Sequence, residues 1–189
     1  MFATFCWKNQ PKYFLCLALC FLMSAPALAW RHELPQAKLL GSGEFRWFGL
    51  RIYEARLYAA HAPFDPARSF ALELTYQRNI SKERFVQASL DEMRRIFGAS
   101  LQAYDMARWQ SWMEQAFADV SPGMQLTGVF VPGFGCRFYL QNALRAEIAD
   151  PVFAQHFFAI WLHENSRDQA LRRQLLGSAS QAPEQGRMK

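Results

Sequence analysis

The chain has 189 residues, of which 51% are hydrophobic and 20% are charged. This length and composition are typical of one globular domain, and they exclude a disordered, collagen-like or coiled-coil chain. The formal net charge is +5, from 21 basic and 16 acidic side chains. Because the arginines are interleaved with acids and form no basic stripe, we expect no nucleic-acid partner.

Residues 1–29 contain the three parts of a secretory signal peptide. Lys8 and Lys12 supply positive charge, residues 13–23 are apolar, and Ala27-Leu28-Ala29 has the small-x-small pattern of a cleavage site. The apolar run is shorter than the roughly 20 residues that a membrane-spanning helix needs. We therefore expect cleavage after Ala29, a periplasmic or secreted protein, and no stable membrane insertion of the mature chain.

The cysteines fit this interpretation. Cys6, Cys16 and Cys20 lie in the predicted leader, so the mature chain keeps only Cys136. One thiol cannot form an internal disulfide, and the fold must depend on its hydrophobic core. Cys136 follows a glycine turn with no histidine nearby in the sequence, so we expect a buried and unreactive thiol.

The predicted domain, residues 30–177, begins with strands. Two strands are expected over residues 37–47 and 50–60, around a bend at Phe48-Gly49, and a proline-containing loop follows over residues 61–66. Alternation after Ser69 predicts a third, half-buried strand. Its inward face would consist of Phe70, Leu72, Leu74, Tyr76 and, at its end, Arg78.

Two amphipathic helices are expected next. Ser81 is a suitable N-cap for the first, whose apolar residues recur at steps of three and four up to Phe97, and Gly98 ends it. The second begins near Asp105 and ends before a turn at residues 121–123. Both helices have one apolar face, which indicates that they cover a sheet.

A second block of strands and helices completes the domain. Strands are predicted over residues 124–131, 136–141 and 144–148, the first two joined by a hairpin connection at residues 132–135. Asp150-Pro151 predicts the start of an apolar helix that continues to His163.

The last helix is short. Ser166 and Gln169 have the spacing of a capping box, and Gly177 is a typical helix stop. Residues 178–189 are polar and are expected to form a disordered tail. The whole pattern predicts an α+β fold, in which one large antiparallel sheet carries a layer of helices on one face.

No motif in the chain by itself indicates a reaction. The sequence lacks a dinucleotide or phosphate-binding glycine loop, a Gly-x-Ser-x-Gly motif and a His-Glu-x-x-His motif. Its four histidines are not at the spacing of metal ligands, and we expect no metal and no cofactor. The aromatic content of 15% builds a core and permits an apolar ligand pocket.

Residues 39–43 and 48–58 resemble the paired opening strands of the chalcone isomerase family, in particular of its bacterial, exported chalcone isomerase-like branch. Three further segments, at residues 120–123, 132–135 and 150–153, resemble it in the same order. The resemblance covers about residues 37–177.

This resemblance implies an open-faced β-sandwich with a ligand cleft between the sheet and the helices. The family contains plant enzymes that close a chalcone into a flavanone, and relatives that bind fatty acids without catalysis. The enzymes use a first-strand arginine, a second-strand threonine and a tyrosine in the first helix. Here the arginine position falls near Gly41, with Arg46 the nearest arginine, the threonine position falls on Tyr53 as in the binders, and the helical tyrosine position falls near Arg84-Phe85.

Four residues are candidates for ligand binding: Arg46, Tyr53, Tyr76 and Arg78. A guanidinium can hold a carboxylate or phenolate through two parallel hydrogen bonds, and a tyrosine hydroxyl can add a third. No catalytic residue is assigned, because the threonine and tyrosine of the enzymes are not matched.

Three functions remain open at the level of sequence. The first is a non-catalytic exported protein that binds a small amphipathic acid, either a fatty acid or a phenolic compound. The second is an intramolecular lyase or isomerase of the chalcone type. The third is an interaction module of the cell envelope with a vestigial cleft. The sequence does not identify the ligand, a protein partner or the oligomeric state.

Overall fold

The structure is a computed structural model that describes residues 29–98 and 101–177, without the side chains of residues 103 and 104. The predicted signal peptide, apart from Ala29, and the predicted tail at residues 178–189 lie outside the described residues. Between these limits the chain forms one sheet and one helical layer.

The sheet has six antiparallel strands in the order in which they occur along the chain. Each strand therefore pairs with its neighbours in sequence, including the third and fourth, which two helices separate along the chain. The strands are β1 (Lys38–Trp47), β2 (Leu50–Ala59), β3 (Phe70–Tyr76), β4 (Gln125–Val131), β5 (Gly135–Leu140) and β6 (Ala143–Ile148).

Four α-helices lie against one face of this sheet. They are α1 (Lys82–Phe97), α2 (Ala103–Ala116), α3 (Pro151–Leu162) and α4 (Gln169–Leu175). Their buried side chains form one core with the inward residues of the strands, such as Leu72 and Phe138. The predicted α+β architecture, a large antiparallel sheet with helices on one face, is confirmed. None of the helices among the described residues is long and apolar enough to cross a membrane.

The helix starts follow local chemistry. The Ser81 side chain accepts a hydrogen bond from the backbone N–H of Arg84, and Asp150 accepts one from Phe153 at 2.8 Å. The predicted capping box of α4 is wrong, because Asp168 caps this helix. The Ser166 hydroxyl instead donates to the carbonyl of Ile160, which ties the connection between α3 and α4 to the end of α3.

The second face of the sheet is partly covered. A single 3-10 turn, Ala29–His32, places the fully buried indole of Trp30 against Tyr58, with ring centroids 5.0 Å apart. The guanidinium of Arg31 lies over both rings. Glu73 is buried on this face beside Arg56. A small second core thus anchors the start of the domain.

The turn between β1 and β2 defines one end of the sheet. Phe48 and Gly49 have φ values of 46° and 77°, as a two-residue hairpin turn requires. Tyr53 lies opposite Phe45 in β1 and opposite Tyr76 in β3. Because β3 leads directly to α1, the first turn of that helix lies at the same end of the sheet.

Cys136 is fully buried in β5 and forms no disulfide within the described residues. Burial raises the pKa of its thiol, which disfavours the reactive thiolate. This environment matches the expected buried thiol.

Candidate functional site

A cleft opens between the hairpin end of β1 and β2 and the helices α1, α3 and α4. Its volume is about 380 Å³, within the range of small-molecule sites. Most of its wall is apolar, including Phe45, Trp47, Ile52, Ile80, Phe85 and Ile160. Such a wall favours an aliphatic chain or an aromatic ring.

Two tyrosines belong to the wall of this cleft. Tyr53 and Tyr76 are cross-strand partners, with ring centroids 6.0 Å apart. Trp161 of α3 donates a hydrogen bond from its Nε1 to the Tyr53 hydroxyl at 2.9 Å. The Tyr76 side chain is only 1% exposed, and its hydroxyl has no hydrogen-bond partner among the described residues. Since an unsatisfied buried group costs about 1–3 kcal/mol, a ligand oxygen at this position would be favourable.

Both hydroxyls are hydrogen-bond donors at physiological pH. Burial raises the pKa of Tyr53 and of Tyr76, because the phenolate would lose its hydration. The oxygen of Tyr53 already accepts from Trp161, so its own proton is available to a ligand. The tyrosine pair therefore suits an acceptor such as a carboxylate or a carbonyl oxygen.

Arg84 supplies a positive charge at the edge of the cleft. It lies in the first turn of α1, is exposed, and forms no ion pair within the described part of the chain. The acids of the wall are already engaged: Glu92 pairs with Arg95 and Arg167, Asp91 with Arg94, and Asp168 caps α4. The free polar groups of the cleft are thus mainly donors.

The structure brings together two of the four residues singled out in the sequence, Tyr53 and Tyr76. Arg46 does not line the cleft, because it lies on the face of β1 opposite Phe45 and Trp47. Its guanidinium contacts Glu44 at 2.8 Å and is half exposed. Its two neighbours in β1, Phe45 and Trp47, line the cleft instead.

Arg78 does not line the cleft either. The alternation that predicts an inward Arg78 stops at Tyr76, where β3 ends. Gln77 still donates its backbone N–H to Ile52, after which the chain bends and Arg78 is exposed. The cleft wall contains Arg84 as a cation instead, and the family resemblance marks this residue only as lying near the position of the enzymes' helical tyrosine.

The position near Gly41, where the resemblance places the first-strand arginine, has no room for any side chain. A Cβ atom there would lie 2.0 Å from the backbone oxygen of Gln174. Helix α4 packs directly on β1 at this point. An anion in the cleft would therefore have to be held by groups other than an arginine of this position.

A second cavity of about 640 Å³ opens at the opposite end of the sheet. Its wall is rich in phenylalanine, including Phe64, Phe70 and Phe158. The Nε of Arg172, its main cation, donates to the carbonyl of Leu162. Within the described residues, the buried side-chain polar atoms that lack a hydrogen-bond partner all lie outside this wall. The smaller cleft is therefore the better candidate for a specific site.

The described residues contain no group of three or more His, Cys, Asp or Glu side chains that could hold a metal ion.

Comparisons with known proteins agree with this fold. The chain is similar to a solved structure of a fatty-acid binding protein from Arabidopsis thaliana, with a TM-score of 0.58 and 13% identity, over 77% of this chain and 89% of that one. No curated protein matches the chain. A family model described as chalcone isomerase-like matches residues 33–177, which is most of the sequence. The chain therefore belongs to the chalcone isomerase-like family.

Proposed function

We propose that this protein binds a small amphipathic acid, a fatty acid or a phenolic acid, in the cleft between sheet and helices, and that it does so without catalysis. The observation that carries the proposal is the buried hydroxyl of Tyr76, a residue of the apolar cleft wall, because this hydroxyl has no partner among the described residues. A ligand with an acceptor group and an apolar body would satisfy both features.

The distribution of polar groups supports an acidic ligand. The available groups are the hydroxyl protons of Tyr53 and Tyr76 and the guanidinium of Arg84, and all of them donate hydrogen bonds. A carboxylate accepts several such bonds, and bonds to a charged group are stronger than those between neutral groups. The similar structure from Arabidopsis thaliana is that of a fatty-acid binding protein, which supports the same class of ligand for this chain.

The residues at the first-helix position support binding rather than cyclisation. Arg84 and Phe85 both line the cleft, and neither carries a hydroxyl that could organise a water molecule at a ketone. The Phe85 ring is fixed by Tyr76 on one side and by Phe117, stacked at 4.5 Å, on the other. The hydroxyl that the enzymes use at this position therefore has no counterpart here, which supports binding rather than cyclisation.

Direct binding measurements test the proposal. Fatty acids of increasing chain length and a phenolic acid would be titrated against the purified protein by calorimetry, each beside its methyl ester. We expect the acids to bind and the esters to bind at least tenfold more weakly, since the ester removes the anion. Native mass spectrometry of the protein as purified would reveal a ligand that is retained from the cell.

A pair of variants on α1 assigns the binding to the cleft. Ala88 lines the cleft and Gln87 lies beside it on the exposed surface. Ala88→Trp would fill the cleft and abolish binding, whereas Gln87→Trp would leave it unchanged. Absence of binding for the whole panel, or equal binding by both variants, would overturn the proposal. Loss of chalcone absorbance on incubation with the protein would instead establish the isomerase.

We further propose that the protein is exported. The support is the signal-peptide pattern of residues 1–29. N-terminal sequencing of the protein from a periplasmic or secreted fraction should begin at Trp30, and an intact Met1 in such a fraction would contradict cleavage.

A further inference from the structure

The turn between β1 and β2 carries an exposed cluster of large apolar side chains. We call Trp47, Phe48, Gly49 and Leu50 the hairpin tip. Trp47 is 48% exposed, Phe48 is 89% exposed and Leu50 is 53% exposed. Single exposed hydrophobic residues are common on protein surfaces, but a contiguous group at a protruding turn is typical of an interaction site.

The backbone of the tip makes Phe48 an unfavourable choice for stability. Its φ of 46° lies in the left-handed region, which disfavours bulky side chains. Asparagine followed by glycine is the preferred pair for such a turn. The Phe48 ring is nevertheless almost fully exposed, so little burial offsets this cost. The residue thus serves something other than the stability of the fold.

Aromatic rings connect the tip with the cleft. Phe48 packs against Trp47 at 5.1 Å between centroids, Trp47 against Phe45 at 6.4 Å, and Phe45 against Tyr53 at 5.1 Å. Trp47 is itself part of the cleft wall. Whatever covers the tip therefore also covers one side of the cleft entrance.

Basic side chains surround this end of the sheet. Arg46 and Arg51 flank the tip and share the single carboxylate of Glu44. Arg78 follows the end of β3, and Arg84 lies in the first turn of α1. Lys82 adds a further positive charge, and Glu83 and Asp119 contribute two negative charges in the same region. Positive charge exceeds negative charge here, which complements an anionic surface.

We propose that the hairpin tip inserts into the interface of an anionic lipid bilayer, so that the entrance of the cleft faces the membrane. Tryptophan and phenylalanine favour the boundary between headgroups and acyl chains, and nearby arginines favour anionic headgroups. The docking itself does not require a ligand. Only its consequence, that an amphipathic acid passes between bilayer and cleft along the aromatic rings, rests on the proposed function.

Fluorescence quenching by brominated lipid tests the insertion directly. The protein, purified after export by the host cell, is mixed with phosphatidylcholine vesicles that contain a minor fraction of phosphatidylglycerol and bromine on the acyl chains. We expect quenching that is lost in Trp47→Phe, which identifies Trp47 as the quenched residue. Quenching should also decrease without phosphatidylglycerol and at high salt, because the attraction of the arginines is then absent or screened.

Two comparisons of variants separate membrane binding from folding. Phe48→Asn should raise the melting temperature, since it relieves the backbone strain, but weaken vesicle binding about tenfold by removing one apolar side chain from the lipid. Leu50→Ser should weaken vesicle binding, whereas Leu39→Ser should leave it unchanged. Leu39 is also 53% exposed but lies at the opposite end of β1, so this pair is matched in exposure.

Unquenched Trp47 in the presence of vesicles would overturn the proposal, and the tip would then have to be a contact for a protein. Equal vesicle binding by the Phe48→Asn variant and the unchanged protein would also overturn it. Fatty-acid binding in solution is measured separately. If it persists while vesicle binding fails, the proposed function stands and only the membrane orientation is wrong.

Discussion

The indole Nε1 of Trp161 donates a hydrogen bond to the hydroxyl oxygen of Tyr53 at 2.9 Å, and this contact joins α3 to β2 in the wall of the cleft. The bond uses the oxygen of Tyr53 as an acceptor and leaves its proton for another partner. Tyr76, opposite Tyr53 in the sheet, adds a second hydroxyl without a partner among the described residues. The helical layer therefore sets the polarity of the cleft as well as its shape.

Replacement of Tyr76 by phenylalanine should separate stability from binding. Tyr76→Phe removes a buried hydroxyl without a partner in the described structure, so we expect the ligand-free protein to gain about 1 kcal/mol in unfolding free energy. Affinity for a fatty acid should fall about tenfold, because one donor to the carboxylate is lost. Urea unfolding and calorimetric titration measure the two effects.

The control for this substitution is Tyr58→Phe, on the opposite face of the sheet beside Trp30. It should leave affinity unchanged. A Tyr76→Phe variant that is less stable than the unchanged protein and binds equally well would show that the hydroxyl has a structural role only.

Replacement of Arg84 should weaken the binding of anions specifically. Arg84→Gln removes the cleft cation that has no ion pair within the described residues, and we expect a carboxylate ligand to bind about fivefold to tenfold more weakly. The affinity for the methyl ester should not change. Because Arg84 is exposed, added salt should reduce the difference between the two proteins.

Arg46→Gln and Arg78→Gln are the matched controls, since both arginines lie outside the cleft wall. Neither should change affinity in solution. If either variant weakens binding more than Arg84→Gln does, the assignment of the cation is wrong.

The contact between β1 and α4 predicts a large effect of one methyl group. A Cβ at Gly41 would lie 2.0 Å from the Gln174 backbone oxygen, and backbone atoms cannot move aside as a flexible side chain can. Gly41→Ala should therefore destabilise the fold by about 1–3 kcal/mol through overpacking. Ser42→Ala, at the exposed neighbouring position, should change stability by less than about 0.5 kcal/mol in a urea titration. Equal stability of the two variants would show that α4 does not pack this closely on β1 at Gly41.

Glu73 makes stability depend on pH. Burial raises the pKa of this carboxyl above its ordinary value, although Arg56 and Arg31 partly oppose the effect. The folded state thus binds a proton more tightly than the unfolded state, so this contribution to stability is present at low pH and is lost as the pH rises through the raised pKa.

Glu73→Gln removes this dependence. Between about pH 4 and pH 8 the variant should gain stability relative to the unchanged protein, as measured by thermal unfolding across the range. A relative loss over the same range would mean that the ion pair with Arg56, at 3.6 Å, outweighs the cost of burial.

The sequence predicts most of the fold because its signals are local. Alternation in β3, the turn residues at 132–135 and the start of α3 at Asp150-Pro151 each depend on neighbours within a few positions. Ser166 shows where such reasoning fails. Its spacing to Gln169 fits a capping box, but its hydroxyl finds the carbonyl of Ile160 at the end of another helix, and Asp168 becomes the cap.

The candidate site is less predictable for a similar reason. The alternation of Phe45 and Trp47 toward the cleft already places Arg46 on the opposite face, so a prediction from residue type alone goes wrong there. Arg78 would face inward only if β3 continued to that residue. The strand instead ends at Tyr76, and Ile80 then pairs with Val120, a residue that is distant in the sequence.

The sequence alone determined the order of strands and helices, the apolar character of the interior and the resemblance to the family. These follow from periodicity and turn chemistry, which are properties of short segments. Only the tertiary structure decided which polar groups face the cleft, because that depends on how α1, α3 and α4 lie across the sheet. A buried hydroxyl is available to a ligand when the surrounding side chains offer it no hydrogen-bond partner. That depends on the packing of distant segments and cannot be read from a short stretch of sequence.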